Sequence, residues 1–134
     1  MSEVRLTVRI DFGADGALGP GKVRLLEAIH KTGSISQAGR SLGMSYRRAW
    51  LLVDDLNQCF REPVVTTQPG GVRGGGAALT RFGRELIKRY RSIETQATTV
   101  AKRQMHDLKD ALRTGTRPVS KRLKTSIPGS KSRR

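Results

Sequence analysis

The chain has few of the residues from which catalytic sites, metal sites and disulfides are built. Its 134 residues include one cysteine and two histidines, so no disulfide can form within the chain. The histidines are remote from each other in sequence, and the adjacent carboxylates Asp54 and Asp55 point in different directions on a predicted helix. We therefore expect no enzymatic activity, no bound metal and no cofactor. We also expect Cys59 to be a packing residue, and a single thiol fits a reducing compartment.

Long apolar runs and aromatic residues are also scarce. No stretch is long and apolar enough to span a membrane, and no signal-peptide core lies near the first residue. We therefore expect a cytoplasmic chain without a membrane partner. Aromatic residues make up 4% of the sequence. Since RNA recognition usually relies on exposed aromatic side chains for base stacking, this scarcity disfavours an RNA-binding protein.

Acidic residues are greatly outnumbered by basic ones. The sequence has 26 Lys and Arg against 11 Asp and Glu, a formal net charge of +15, which indicates an acidic partner such as nucleic acid. Residues 114–134 alone contain seven Lys or Arg and no acid. They are rich in Ser, Thr, Pro and Gly, so we predict a disordered basic tail at 114–134 after one domain at 1–113. Lys121 and Arg122 of this tail are candidate phosphate contacts. A solubilising or vector-derived terminus is the alternative.

Residues 33–50, GSISQAGRSLGMSYRRAW, have the spacing of a helix-turn-helix. Ser34 and Gln37 form a capping box that begins the first helix. Gly43 provides the turn, where a positive φ is wanted, and Ser45 caps the second helix. The pattern therefore predicts two short helices joined by a tight glycine turn.

The second helix of this motif predicts a DNA-binding surface. In helix-turn-helix proteins this helix lies in the major groove, and its first residues face base edges. Gly39 in the first helix costs about 1 kcal/mol relative to alanine, which predicts a close helix crossing. We expect Trp50 to lie in the core or against a partner rather than to stack on bases. An unrelated helical hairpin with a solvated arginine pair is the alternative. The candidate DNA contacts of this motif are Ser34, Ser36, Gln37, Ser45, Tyr46, Arg47 and Arg48.

Two short extended segments follow, VVTT at residues 64–67 and AAL at residues 77–79, and a glycine-rich stretch joins them. They predict the β-hairpin wing of a winged helix, in which Arg73 is a candidate contact to phosphate or to the minor groove. A nucleotide-binding glycine loop is the alternative. It requires GxxxxGK[ST] or GxGxxG, and neither motif is present.

The segment before the motif predicts a strand and a helix. Residues 5–12 alternate between polar and apolar side chains, which favours a half-buried strand that pairs with the wing. A helix is expected at about residues 20–31. It should bury Val23, Leu26 and Ile29, with Leu25 as a candidate for an interface.

A long helix is predicted from the Thr80 cap to about residue 113. Its apolar residues follow heptad spacing at first and then shift, so either the helix bends or two helices meet different partners. Because this helix is longer than so small a domain can cover, we expect it to pair with a second copy in a homodimer. The alternative is that it packs only on its own domain. The residues with heptad spacing are Leu86, Tyr90, Ile93, Ala97 and Val100. The shifted stripe consists of Ala101, Met105, Leu108 and Leu112.

The sequence resembles the N-terminal DNA-binding domain of the ModE family of bacterial molybdate-responsive regulators. The matching motifs are GSISQA, SYRRAW and GGGAALTRFG, which begin at Gly33, Ser45 and Gly74. The resemblance implies a winged helix-turn-helix dimer that binds an inverted repeat in double-stranded DNA. Full-length family members carry a further oxyanion-binding region, whereas this chain ends soon after the predicted dimerisation helix. The resemblance therefore does not imply that this chain senses molybdate, and the sequence does not identify an effector.

These features combine into one expectation of fold and function. We predict a mostly α fold with a small β-sheet, a winged helix-turn-helix with a long C-terminal dimerisation helix. The expected function is sequence-specific transcriptional regulation. The alternative is an architectural DNA-binding protein with little sequence specificity, whose affinity would depend mainly on salt.

Overall fold

A computed structural model describes residues 3–68 and 76–113 of the chain. Its described part is mostly helical, as the sequence predicts, and it contains two small antiparallel hairpins. None of the helices in these two ranges has the length and apolarity needed to cross a membrane. The elements are β1 (Ile10–Asp11), a 3-10 turn (Gly13–Asp15), β2 (Ala17–Leu18), α1 (Pro20–Thr32), α2 (Ile35–Ser41), α3 (Tyr46–Cys59), β3 (Val65–Gln68), β4 (Gly76–Leu79) and α4 (Arg81–Asp110).

The helix-turn-helix forms at the predicted positions because its local signals are satisfied. Gly33 ends α1 in the left-handed conformation, with φ of 73°. The Ser34 hydroxyl oxygen accepts a hydrogen bond from the Gln37 backbone N–H at 3.0 Å, and this caps α2. Gly43 has φ of 73°, as the turn requires. The turn prediction and the Ser34 cap are confirmed, while the predicted capping box is only half formed, because the Ser34 N–H donates to the Thr32 hydroxyl oxygen at 3.2 Å instead of to the Gln37 side chain.

Helix α1 is the centre of the hydrophobic core. Its residues Val23, Leu26 and Ile29 are fully buried, as predicted. Leu25 is also 0% exposed, so its prediction as an interface residue is wrong. The helix is covered on more than one side, since it packs on α2, α3, β4 and α4. An apolar stripe counted from the sequence does not reveal that a second face is covered.

The N-terminal segment does not join the wing. Of the predicted strand at residues 5–12, only Ile10–Asp11 is paired in a sheet, and its partner is Ala17–Leu18 across the 3-10 turn. The wing strands β3 and β4 form a separate sheet. The segment is fixed to α4 instead, because the Tyr90 hydroxyl donates a hydrogen bond to the Val8 carbonyl at 2.5 Å. The prediction of one shared sheet is therefore wrong.

The wing strands are attached to the body of the domain at their base. Val65 pairs with Leu79 and Gln68 with Gly76 in antiparallel register. The Ala77 N–H donates to the Gly33 carbonyl at 2.9 Å, which joins β4 to the end of α1. The predicted hairpin strands are confirmed, while Arg73 lies outside the described residues.

Helix α4 is one continuous helix of 30 residues, so the alternative of two helices is wrong. Leu86 and Tyr90 are buried in the core of the chain, and they are not part of an exposed seam as predicted. Beyond Tyr90 no residue of α4 is buried. Ile93 is 42% exposed and Val100 is 84% exposed. The second half of the helix therefore leaves the core and carries unpaired apolar side chains.

Candidate nucleic-acid interface

The first turn of α3 is exposed on its outer side, and the Ser45 cap defines where the helix begins. The Ser45 hydroxyl oxygen accepts a hydrogen bond from the Arg48 N–H at 3.1 Å, so the helix starts at Tyr46. Arg47 and Arg48 are exposed, and Tyr46 is 62% exposed. The inner face of the same helix is apolar, with Ala49, Val53 and Leu56 buried. The outer face is free to approach a ligand.

The two arginines occupy different positions on α3. Arg47 lies one turn before Leu51, which is half exposed, so it stands at the middle of the outer face. Arg48 lies one turn before Leu52, which packs partly against the core, so it stands on the flank. In a helix that enters a groove, the middle of the outer face meets base edges and the flanks meet backbone phosphates. The sequence alone treats the two arginines as equivalent.

Trp50 is not a core residue, so of its two expected locations only packing against a partner stays a prediction. It is 37% exposed, and its ring packs edge-on against Tyr46 with 6.2 Å between ring centroids. The pair forms one wall of a notch between α3 and the wing. Ser34, Ser36, Thr67, Gln68 and Ala77 line the remaining sides of this notch.

The other predicted contact residues are placed as follows. Ser34 is the α2 cap, while Ser36 accepts a hydrogen bond from the Arg40 guanidinium at 3.3 Å. Both lie in the notch with Tyr46, and Gln37 is exposed on α2. The structure therefore brings together the α2 and α3 candidates. Arg73, Lys121 and Arg122 lie outside the described residues.

Asn57 is a structural residue of this site that the sequence analysis missed. Its side-chain carbonyl accepts hydrogen bonds from the N–H groups of Val64 and Val65 at 2.7 and 3.1 Å. Its amide donates to the Val65 carbonyl at 3.1 Å. Asn57 thus fixes the base of the wing relative to α3. An asparagine late in a predicted helix gives no signal of such a long-range contact.

The charge of α3 changes along its length. Its first turn carries Arg47 and Arg48 and no acidic residue. The acids Asp54 and Asp55 follow in the third turn and are exposed. A polyanion is therefore attracted to the N-terminal half of the helix and repelled from the C-terminal half.

The described residues contain no group of three or more His, Cys, Asp or Glu placed to hold a metal ion. His106 contacts Asp110 at 3.6 Å on the exposed part of α4. Burial raises the pKa of the Cys59 thiol, which favours the unreactive protonated form. Its Sγ packs near Gly16 of the first hairpin.

Sequence comparisons relate the chain to molybdenum-associated regulators and binding proteins. It is 38% identical over 98 residues to the molybdenum transport protein ModE of Azotobacter vinelandii, covering 72% of this chain and 36% of that protein. It is 51% identical over 77 residues to the molybdenum-pterin-binding protein MopB of Rhodobacter capsulatus, covering 58% and 28%. It is 42% identical over 91 residues to the DNA-binding transcriptional dual regulator ModE of Escherichia coli K12, covering 66% and 33%. No family model matches the chain. The chain spans about a third of the length of these curated relatives.

Proposed function

Because the chain carries a ModE-type winged helix-turn-helix domain, we propose that it is a DNA-binding transcriptional regulator that binds an inverted-repeat operator as a homodimer. The observation that carries this proposal is the outer face of α3. Its Ser45 cap, its central Arg47 and the absence of acid from its first turn leave a cationic helix end exposed. A helix of this kind fits the major groove with its N-terminal residues toward the bases.

Each part of the surface has a distinct role in this proposal. Arg47 contacts a guanine edge through two hydrogen bonds, and Arg48 contacts a phosphate on the flank. The wing, held at its base by Asn57, lies along the adjacent backbone. The basic excess of the whole chain, +15 at pH 7, adds affinity that does not depend on sequence.

The homodimer is supported by the second half of α4. Its exposed apolar residues, including Val100 at 84% and Leu108 at 67% exposure, have no partner within the described parts of the chain. Residues 91–110, none of them buried, form a segment of helix about 30 Å long, at about 1.5 Å per residue. A second copy would bury this stripe and place two recognition helices about 34 Å apart, or a multiple of that spacing.

Selection of bound DNA from a random duplex library at near-physiological salt tests the proposal. A two-fold symmetric consensus is expected, and sedimentation analysis should give the mass of a dimer that dissociates in a Val100→Glu, Leu108→Glu variant. Tight binding without any enriched sequence would contradict sequence-specific regulation and favour the architectural alternative. A single asymmetric half-site bound by a monomer would contradict the homodimer alone.

A further inference from the structure

We infer that Tyr46, Trp50 and Leu51 form a methyl-recognition patch that contacts the 5-methyl groups of thymines beside the base pair bound by Arg47. This inference rests on the proposed function and names the base chemistry that the same site recognises.

The patch consists of large apolar side chains that the fold leaves uncovered. Tyr46 is 62% exposed, Leu51 is 50% exposed and Trp50 is 37% exposed. All three lie in the first two turns of α3. The edge-on packing of Tyr46 against Trp50 holds the two rings in one wall, so this aromatic part of the patch has a defined shape before any ligand binds, and Leu51 lies beyond Arg47 on the same helix.

The surroundings of the patch favour DNA over an apolar protein partner. Arg47 lies between Tyr46 and Leu51 on the outer face, and Arg48 follows it. An apolar partner that covered the patch would have to desolvate these two guanidinium groups without compensation. DNA supplies phosphates and guanine acceptors for the arginines. In the same groove the thymine methyl group is the apolar feature that distinguishes the bases.

The patch has a limit along the helix. Asp54 lies one turn beyond Trp50, and its carboxylate accepts a hydrogen bond from the Gln58 amide at 3.2 Å. A carboxylate at this position repels the phosphate backbone, so the helix approaches the groove by its N-terminal half. The methyl contacts therefore fall within one or two base pairs of the Arg47 contact. We expect a half-site in which a G·C pair adjoins thymines.

Replacement of thymine by deoxyuridine tests this assignment, since it removes the methyl group and keeps every Watson–Crick contact. The operator found by selection is prepared with thymine or deoxyuridine at each half-site position. Wild-type affinity should fall about fourfold for each contacted methyl group lost, as expected for burial of about one CH₂ group. Trp50→Ala and Leu51→Ala should bind the thymine operator more weakly and lose the difference between thymine and deoxyuridine.

Gln58→Ala, on the same helix two turns beyond the patch, is the matched control and should keep the full difference. Thermal unfolding, measured in parallel, reports whether each variant is still folded. Equal wild-type binding to both operators would overturn the inference, as would a half-site without thymine. A deoxyuridine effect that persists in both patch variants would assign the methyl groups to another contact. Failure to select any consensus would contradict the proposed function itself, and the inference with it.

Discussion

Gly39 of α2 and Ala49 of α3 meet where the two helices of the motif cross, so closely that a Cβ on residue 39 would lie 2.8 Å from the Ala49 Cβ. Real Cβ atoms essentially never approach this closely. The crossing sets the position of α3 and therefore of the whole candidate interface. A helical glycine, unfavourable by local propensity, is here required by packing.

Gly39→Ala should destabilise the domain by about 1–3 kcal/mol, since the added methyl group must push the two helices apart. Gly21→Ala is the matched control, because no atom lies within 4 Å of its added Cβ. That change should be neutral or stabilising by up to about 1 kcal/mol. Urea unfolding of the three proteins measures both effects. Equal stability of the Gly39 variant and the wild type would show that α2 and α3 are not in fixed contact.

Asn57→Ala should lower stability by about 1–3 kcal/mol, because it leaves two buried backbone N–H groups without their acceptor. Gln58→Ala, at the exposed neighbouring position, should change stability by less than about 0.5 kcal/mol. Thermal unfolding gives the comparison. In conditions where both variants are folded, only the Asn57 variant should bind operator DNA more weakly, since its wing is no longer fixed to α3. Unimpaired binding would mean that the wing orientation does not matter.

Arg47→Ala and Arg48→Ala should weaken DNA binding in different ways. Loss of Arg47 should weaken operator binding by about 1–3 kcal/mol and spare random DNA, as expected for a bidentate guanine contact. Loss of Arg48 should weaken binding to both DNAs alike and reduce the slope of log K against log salt by about 1. Titrations at several salt concentrations separate the two. The opposite pattern would exchange the roles assigned here to the outer face and the flank.

Tyr90→Phe should remove about 1 kcal/mol at neutral pH, the net worth of its hydrogen bond to Val8. Burial, with the Glu94 charge next in importance, raises the pKa of Tyr90. A raised pKa in the folded state means that the stabilising contribution is complete below the unfolded value of about 10. It is lost as pH rises through the folded value. Unfolding by urea at pH 8 and pH 11 should therefore give a smaller difference between wild type and variant at pH 11. An unchanged difference would mean that Tyr90 does not ionise differently in the two states.

The elements that sequence alone predicts correctly are those determined by neighbouring residues. The caps Ser34, Ser45 and Thr80 each accept from the N–H three residues later, as their sequence contexts predict. The turn glycines are also predictable from the local sequence, because a positive φ depends on the identity of one residue. The two helices of the motif and the strands of the wing follow from these signals.

The predictions that are wrong concern contacts made across the chain. Leu25, Leu86 and Tyr90 are assigned to interfaces by spacing, yet the core covers them from elements distant in sequence. Trp50 does not lie in the core, one of its two expected locations, but beside Tyr46 at the surface. Asn57 has no sequence signal because its partners lie in the wing. Periodicity identifies which residues share a face, and only the packing of the other elements decides what that face meets.

Helix α4 runs without a break from the base of the wing, beside the candidate interface, to Asp110. It begins beside the wing, where the Thr80 hydroxyl donates to the Pro63 carbonyl at 2.7 Å, and it continues to Asp110. Each residue of such a helix advances about 100° around its axis, so residue number fixes the rotational phase between the two ends. In the proposed dimer, one residue more or less between Tyr90 and Val100 would turn one recognition surface away from the other by over a quarter of a turn. In that dimer, the number of residues between Tyr90 and Val100 would therefore determine which half-site spacing the two recognition helices can bind.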